Sequence, residues 1–140
     1  MQGKARVRDF VERDPPTVDY GATLEDVIKV MLTKGKTGIV VREGGEVIGV
    51  ITSTDVTRII VQGRDPSKVK VREFMTACTL AGHNPCIQIK EDGFVIDALR
   101  LMLIGGVSRV LAVDSKGDFV GTISFLEALR AWEDIESTSV

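Results

Sequence analysis

The fold of this chain is decided by a stretch that occurs twice, as VIGVITSTD at residues 47–55 and as FVGTISFLE at residues 119–127. A second pair of matching segments precedes these copies: VRDF at residues 7–10 and VREF at residues 71–74. Repeats this small cannot bury their apolar faces alone, so they are expected to pack together. The sequence therefore predicts two similar units related by a pseudo-two-fold axis, with any ligand site between them.

Composition and charge limit the classes of protein to which the chain can belong. Its 140 residues are 44% hydrophobic and 27% charged, which fits one compact domain or one fused pair. The formal net charge of −2 offers no broad attraction for nucleic acid or for an anionic membrane. No apolar run approaches the ~20 residues that span a bilayer, and residues 1–6 lack a signal-peptide core. We expect a cytoplasmic protein with no membrane contact. Nucleic-acid binding is a minority interpretation, left open by a basic strip at Lys4, Arg6, Arg8, Lys68, Lys70 and Arg72.

The two cysteines and the single histidine are the residues best suited to redox or metal chemistry. Cys78 and Cys86 are separated by a turn-like segment that contains His83. Two free thiols are the first interpretation; a disulfide is the second, because the turn lets the cysteines meet, although cytosolic disulfides are unusual outside hyperthermophiles. A structural zinc site needs four ligands, and the chain has no further Cys or His. Neither a metal site nor catalysis by His83, which lacks a repeated nucleophile partner, is predicted.

An apolar stripe of helical period begins the main part of each half. The stripes lie at residues 24–32 and 95–103, and each is followed by glycine. Thr23 and Asp92 stand where the N-caps of these helices are expected. The sequence therefore predicts one amphipathic core helix near the start of each repeat.

The remaining elements complete the same order in both halves. Two short apolar runs joined by a glycine turn follow each stripe and indicate a hairpin. A second helix follows the hairpin, and a proline-bearing extended segment precedes the stripe. The predicted fold class is α+β, with two βαββα repeats. The predicted boundaries are 1–63 for the first repeat with its N-terminal arm, 64–70 for a linker, 71–134 for the second repeat and 135–140 for a polar tail.

The repeated stretch places a hydroxyl and a carboxylate three residues apart at a predicted strand-to-helix junction. The Thr52 side chain can cap the helix by accepting a hydrogen bond from the N–H of its third residue. The carboxylate of Asp55, at that third position, can accept one from the Thr52 N–H, as in a capping box, and suits the positive end of the helix. The junction also presents backbone N–H groups and the positive end of a helix dipole, which suit a phosphate. An aspartate beside it can accept both hydroxyls of a ribose, as acidic residues do in dinucleotide sites. A structural and a ligand-binding interpretation remain open for the same two residues.

Two βαββα units that each carry Gly-hydrophobic-hydrophobic-Ser/Thr before an acidic residue resemble a tandem pair of cystathionine-β-synthase (CBS) domains, a Bateman module. The resemblance covers nearly the whole chain and implies a stand-alone regulatory module that binds an adenosine nucleotide in clefts between its repeats. AMP is the first ligand expected, ADP, ATP and S-adenosylmethionine are alternatives, and no cofactor is required. The alternative function is a structural or protein-interaction module without a ligand. No enzymatic activity is expected.

The resemblance also implies which residues form the two clefts. In the family, the signature Ser or Thr contacts phosphate, the acidic residue binds the ribose diol, two residues before the central strand add phosphate contacts, and the other copy holds adenine. For the first cleft this gives Lys36, Thr37, Thr52, Asp55, Ile87 and Val107. For the second cleft it gives Pro16, Thr17, Gly35, Ser108, Arg109, Ser124 and Glu127.

The second copy departs from the family pattern. Glu127 stands where the signature has aspartate, and its additional methylene moves the carboxylate by about an ångström. Arg109 favours ligand binding at the second cleft, because a guanidinium fork binds phosphate well. The resemblance thus favours the Asp55 cleft for ribose and leaves the second cleft open.

Apolar residues on the second helices exceed what a small two-layer unit buries, which predicts a homodimer. These residues are Ile59, Ile60, Val61, Leu129 and Trp132. The resemblance implies the same assembly, since such modules commonly pair. Because no effector domain is recognised in the chain, its output is expected to pass to an unidentified effector protein or through oligomerisation.

Overall fold

A computed structural model describes residues 4–136, and it confirms the α+β class and the βαββα order of both repeats. Short 3₁₀ turns at Val7–Asp9 and Val71–Glu73 precede the repeats. The elements in chain order are β1 (Thr17–Asp19), α1 (Leu24–Lys34), β2 (Gly38–Glu43), β3 (Glu46–Thr52), α2 (Ser53–Val61), β4 (Thr76–Ala77), β5 (Gln88–Lys90), α3 (Val95–Gly105), β6 (Arg109–Val113), β7 (Phe119–Ser124), α4 (Phe125–Leu129) and α5 (Trp132–Glu136).

Each repeat forms its own sheet from one parallel pair and one hairpin. The first sheet has the order β1-β2-β3-β4, with β1 parallel to β2 and the other pairs antiparallel. The second has the order β5-β6-β7, with β5 parallel to β6 and β6 antiparallel to β7. The hairpin registers place Gly38 opposite Thr52 and Arg109 opposite Ser124. In both repeats, the residues that begin the central strand therefore lie beside the signature hydroxyl.

The chain divides into two compact units whose boundaries differ from those expected for the sequence repeats. One unit consists of residues 15–84, and the other combines residues 4–14 with 85–136. The arm expected in the first repeat therefore packs with the second, and residues 64–84 pack with the first. Of the predicted tail, residues 137–140 lie outside the part of the chain that the structure describes.

The duplicated valine at the start of each VRDF or VREF segment anchors this arrangement. Val7 is fully buried in the core around α3, and its N–H donates to the carbonyl of Gly93 at 2.9 Å. Val71 is fully buried in the core around α1, and its N–H donates to the carbonyl of Ala22 at 3.0 Å. Burial of an apolar side chain together with a paired backbone group stabilises each segment on its unit.

The core helices of the two repeats begin differently. Thr23 caps α1 as predicted, in a reciprocal capping box with the third helical residue. The predicted cap Asp92 is wrong, since α3 begins after Phe94, whose side chain makes no capping hydrogen bond. The carbonyl of Ala5 instead accepts a hydrogen bond from Val95 N at 2.9 Å. The packed N-terminal segment thus satisfies one of the N–H groups that a side-chain cap would otherwise satisfy.

The glycine of each repeated stretch lets a neighbouring segment approach the hairpin. A Cβ on Gly121 would overlap the backbone of Glu12, which pairs with Thr122. A Cβ on Gly49 would lie 2.9 Å from the carbonyl oxygen of Thr76 in β4. The signature glycine is therefore required where an edge segment pairs with the last hairpin strand.

The second helices expose most of the apolar residues predicted for an interface. Ile60 and Val61 on α2 are exposed, as are Leu129 and Trp132. Ile59 is an exception, because it is buried in the core of its own unit. The second helix of the second repeat ends at residue 129, so a separate helix, α5, begins at the tryptophan. Among the helices of residues 4–136, none is long and apolar enough to cross a membrane.

The cysteines are not free thiols, which corrects the first interpretation of them. Cys78 and Cys86 are both buried, and both are disulfide-bonded. Within the described residues, no group of three His, Cys, Asp or Glu side chains is placed to hold a metal ion.

Candidate functional site

The junction between β3 and α2 is held by reciprocal hydrogen bonds between Thr52 and Asp55. The Thr52 hydroxyl oxygen accepts from Asp55 N at 3.4 Å. Asp55 Oδ2 accepts from Thr52 N at 2.9 Å and from Thr52 Oγ1 at 3.1 Å. The other carboxylate oxygen, Oδ1, lies 3.6 Å from Arg58 Nη1. The predicted capping box is confirmed.

Lys36 and Thr37 lie beside this junction. The Lys36 N–H donates to the carbonyl of Met31 at 3.2 Å. This hydrogen bond ties the connection between α1 and β2 to the last turn of α1. The carbonyl of Thr37 accepts from Ser53 N, the first residue of α2, at 2.9 Å. Four predicted ligand residues are therefore gathered at one end of the first sheet: Lys36, Thr37, Thr52 and Asp55.

Three residues of the second predicted cleft lie in the unit of residues 15–84, which also contains the Thr52–Asp55 junction. The carbonyl of Pro16 accepts from Val40 N at 3.0 Å, and Thr17 pairs with Val40 in the parallel ladder. Gly35 ends α1 with φ of 64°, a left-handed conformation that favours glycine. Pro16 and Gly35 therefore flank the start of β2, and Thr17 lies beside its third residue.

The junction between β7 and α4 repeats the geometry with glutamate. The Ser124 hydroxyl oxygen accepts from Glu127 N at 3.4 Å. Glu127 Oε1 accepts from Ser124 N at 3.0 Å, and Glu127 Oε2 accepts from the Ser124 hydroxyl at 2.7 Å. The carbonyl of Ser108 accepts from Phe125 N at 3.0 Å, as the carbonyl of Thr37 does in the other unit.

Arg109 takes the place of Gly38 in the register and lies among acidic and hydroxyl groups. Its Nη1 donates to Thr122 Oγ1 at 2.8 Å. The same nitrogen lies 3.7 Å from Glu127 Oε1 and 3.9 Å from Glu12 Oε2. The side chains of Arg109, Glu12 and Glu127 are 20%, 18% and 9% exposed. We call Glu12, Arg109 and Glu127 the ion cluster.

Ile87 and Val107, the residues expected to hold adenine, lie at the end of α3. The carbonyl of Ile87 accepts from Leu111 N at 3.1 Å. A Cβ on Gly105 would lie 2.7 Å from Ile87 Cδ1 and 3.7 Å from Val107 Cγ2. Both side chains therefore flank the last turn of α3, within the unit that contains the ion cluster.

A sequence model of the family described as CBS domain matches residues 7–62 and 71–134. The chain belongs to the CBS domain family. The two matched regions contain both signature junctions, and each region ends in the helix that its junction begins. The duplication read from the sequence is thus a pair of CBS domains.

Several proteins are similar to this CBS pair in sequence or in fold. An uncharacterized protein of Methanopyrus kandleri is 30% identical over 129 residues, covering 89% of this chain and 61% of that protein. A CBS domain protein from Pyrobaculum aerophilum, complexed with AMP, has a TM-score of 0.75 at 18% identity, covering 87% of this chain and 88% of its own. The CBS domain pair of protein MJ0100, complexed with 5′-methylthioadenosine and S-adenosyl-L-methionine, has a TM-score of 0.76 at 21% identity, covering 91% and 99%. The chain spans about half the length of the curated relatives it matches.

Two residues near the second CBS junction were missed by sequence reasoning. Thr122 is fully buried and takes the register position of Val50 in the first repeat. A hydroxyl in an otherwise apolar strand was the available signal, since a buried polar group needs a partner. Glu12 gave no such signal, because its proximity to Arg109 depends on the packing of the N-terminal segment.

A groove of about 320 Å³ lies at the opposite end of the first CBS sheet. It is formed by the end of β1 and the turn between β2 and β3, and its lining residues are Thr17, Val18, Asp19, Arg42, Gly44 and Gly45. Thr17 is the one predicted ligand residue among them. The groove is therefore separate from the Thr52–Asp55 junction, which lies at the start of β2.

Proposed function

We propose that this chain is a regulatory CBS module that binds an adenosine nucleotide, AMP being the first candidate, at the junction of β3 and α2. The observation that carries the proposal is the placement of Lys36 and Thr37 beside the Thr52–Asp55 pair. The module changes its state when the nucleotide binds one arrangement better than another. The proposal assigns no catalytic step to the chain.

The phosphate is the first group that this junction suits. Helix α2 has nine residues, Ser53–Val61, and its N-terminus carries the partial positive charge of the aligned peptide dipoles. Lys36 adds a positive charge at the same end of the sheet, and the Thr37 hydroxyl can donate a hydrogen bond. The Thr52 hydroxyl can donate to a phosphate once it turns away from Asp55 Oδ2. A phosphate group would meet three kinds of favourable partner there.

Asp55 supplies the group for the ribose. Its side chain is 15% exposed, and its Oδ2 is fixed by the N–H and the hydroxyl of Thr52. The 3.6 Å separation of Oδ1 from Arg58 is longer than a hydrogen bond, so ribose hydroxyls can compete for that oxygen. A carboxylate that is already ordered loses little further freedom when it accepts a diol.

The charges at the junction favour AMP over S-adenosylmethionine. S-adenosylmethionine has a positive sulfonium and no phosphate, so Lys36 and the N-terminus of α2 would give it no comparable stabilisation. Both ligand types occur among proteins of this fold, since the P. aerophilum protein is complexed with AMP and the MJ0100 pair with S-adenosyl-L-methionine. ADP and ATP share the features that favour AMP, so titration is needed to rank the three.

Isothermal titration of AMP, ADP, ATP and S-adenosylmethionine into nucleotide-free protein tests the proposal. Asp55→Ala is the test variant, and Asp26→Ala is its matched control, because Asp26 closes the equivalent capping box on α1. Both variants lose a capping carboxylate, but only Asp55→Ala is expected to weaken nucleotide binding. If no ligand binds the wild type, the capping boxes are structural and the alternative of a ligand-free interaction module takes the place of the proposal.

We also propose that the module is a homodimer through its second helices. Large apolar side chains on α2, α4 and α5 are 50–80% exposed: Ile60, Val61, Leu126, Leu129 and Trp132. Because both repeats carry such a face, a second copy can cover them in a symmetric interface. Sedimentation velocity should show a dimer at micromolar concentration, with Leu129→Glu shifting it towards monomer. A wild type that sediments as a monomer contradicts this assembly.

A further inference from the structure

We propose that the chain binds one nucleotide and not two, because the ion cluster of Glu12, Arg109 and Glu127 closes the junction of β7 and α4 to ligand. This inference rests on the proposed function and assigns the cluster a role in setting stoichiometry. Three differences between the two junctions support it: the use of the carboxylate oxygens, the charge around the phosphate position and the length of the helix.

The two signature carboxylates differ in how their oxygens are used. Asp55 makes both of its hydrogen bonds with Thr52 through Oδ2. Glu127 uses both oxygens on Ser124, and its Oε1 also lies 3.7 Å from the Arg109 guanidinium. A ribose diol arriving at Glu127 would share both oxygens with the hydrogen bonds that cap α4, whereas Asp55 Oδ1 takes no part in the cap of α2.

The charge around Arg109 opposes a phosphate. One guanidinium lies within 4 Å of two carboxylates, those of Glu12 and Glu127, so the ion cluster has a formal charge of −1. A nucleotide phosphate would have to compete for Arg109 with both carboxylates and with Thr122 Oγ1, in a partly buried setting where screening by water is weak. If Arg109 turned towards the phosphate, it would leave Glu127, 9% exposed, without its cation, which is unfavourable for a buried charge. At the first junction the carboxylate of Asp55 is paired with one guanidinium, that of Arg58, at 3.6 Å.

The helices that begin at the two junctions differ in length. Helix α2 has nine residues and α4 has five, Phe125–Leu129, before the chain turns into α5. In a five-residue helix the partial negative charge of the C-terminus lies close to the N-terminus and offsets its field, so α4 offers a weaker anion site than α2. The contacts of Glu127 with Ser124 and Arg109 therefore stabilise the start of α4 and at the same time make the second junction unfavourable for a nucleotide.

Titration calorimetry with AMP, supported by amide NMR spectra, tests the inference. We expect wild type to bind about one AMP per chain, with the amide signals of Thr52 and Asp55 shifting and those of Ser124 and Glu127 unmoved. Glu127→Gln should keep that stoichiometry and change the dissociation constant by less than about threefold, whereas Asp55→Asn should weaken binding by about tenfold or more. Glu12→Gln leaves the Ser124–Glu127 pair intact but removes one carboxylate from the ion cluster, so it should allow a second, weaker AMP to bind. A stoichiometry that stays at one in Glu12→Gln would show that the ion cluster is not what closes the junction, whether or not Glu127→Gln folds.

Other outcomes separate the inference from the function on which it rests. Two AMP molecules per wild-type chain, or shifts at Ser124 and Glu127 that vanish in Glu127→Gln, would overturn the closed junction and leave nucleotide binding standing. Absence of binding by wild type to all four ligands would overturn the proposed function itself, before any variant is measured.

Discussion

Asp55 accepts both of its hydrogen bonds from Thr52 on the same carboxylate oxygen, Oδ2. The pair therefore fixes the start of α2 with one oxygen and holds the other, Oδ1, near Arg58 without a hydrogen bond between them. Helix capping and ligand binding, which the sequence presented as alternatives, are compatible in this geometry. The contribution of the pair to stability can therefore be measured separately from any effect on ligand affinity.

Thr52→Ala should lower the free energy of unfolding by about 1 kcal/mol, because α2 loses the hydroxyl that accepts from its third residue. Urea denaturation measures the loss. Thr23→Ala removes the equivalent hydroxyl from α1 and should have a similar cost. Only the first variant is expected to weaken AMP binding; equal effects of both on affinity would show that the junction acts through stability alone.

Gly121→Ala should destabilise the protein more than Gly44→Ala does. A Cβ at Gly121 would overlap the backbone of Glu12, so the N-terminal segment would have to move away from β7. Gly44 has a positive φ but no heavy atom within 4 Å of an added Cβ, so its substitution has a conformational cost only. We expect the difference to be about 1–3 kcal/mol in thermal or urea unfolding. Equal losses would contradict the close approach.

Val7→Ala should loosen the unit that contains residues 85–136 more than the unit of residues 15–84. The side chain of Val7 is fully buried in the core around α3, and its removal should cost about 1–3 kcal/mol. Native-state hydrogen exchange of the intact chain reports the two cores separately. Val71→Ala is the matched variant and should show the opposite pattern, since Val71 is buried around α1. Faster exchange around α1 in Val7→Ala would contradict the unit boundaries.

Stability should fall as the solution is acidified below about pH 4. Hydrogen bonds from the backbone and side chain of Thr23 lower the pKa of Asp26. The hydrogen bond from Arg64, followed by that from the Lys70 backbone, lowers the pKa of Glu73. A carboxyl whose folded pKa is depressed contributes stability above its unfolded pKa, and the contribution disappears as pH falls through the folded value. Urea midpoints at pH 7 and pH 3 measure this loss, and Asp26→Asn should reduce it; an unchanged acid dependence in Asp26→Asn would contradict the assignment.

Periodic and local features were predictable from the sequence, and features that depend on distant packing were not. The helix predicted from the stripe at residues 24–32 and its cap Thr23 are borne out, because cap and helix are contiguous and their hydrogen bonds close within a turn. Leu32, at the end of the stripe, is exposed and does not belong to the core. Asp92 met the same local criterion and is not a cap, because a carbonyl from the N-terminal segment satisfies the start of α3. The state of the cysteines was left open for the same reason, since spacing alone does not fix the approach of two side chains.

The sequence by itself determined the duplicated βαββα architecture and the reciprocal pairs at both signature junctions. Thr52 and Asp55, like Ser124 and Glu127, are three residues apart, so any helix that begins at that hydroxyl brings its carboxylate back to it. Only the tertiary structure decided that residues 4–14 pack with the second repeat, and hence that Glu12 lies near Arg109. The physical reason is separation along the chain: a contact between distant residues is set by the sum of core burial and strand pairing, which local pattern does not encode.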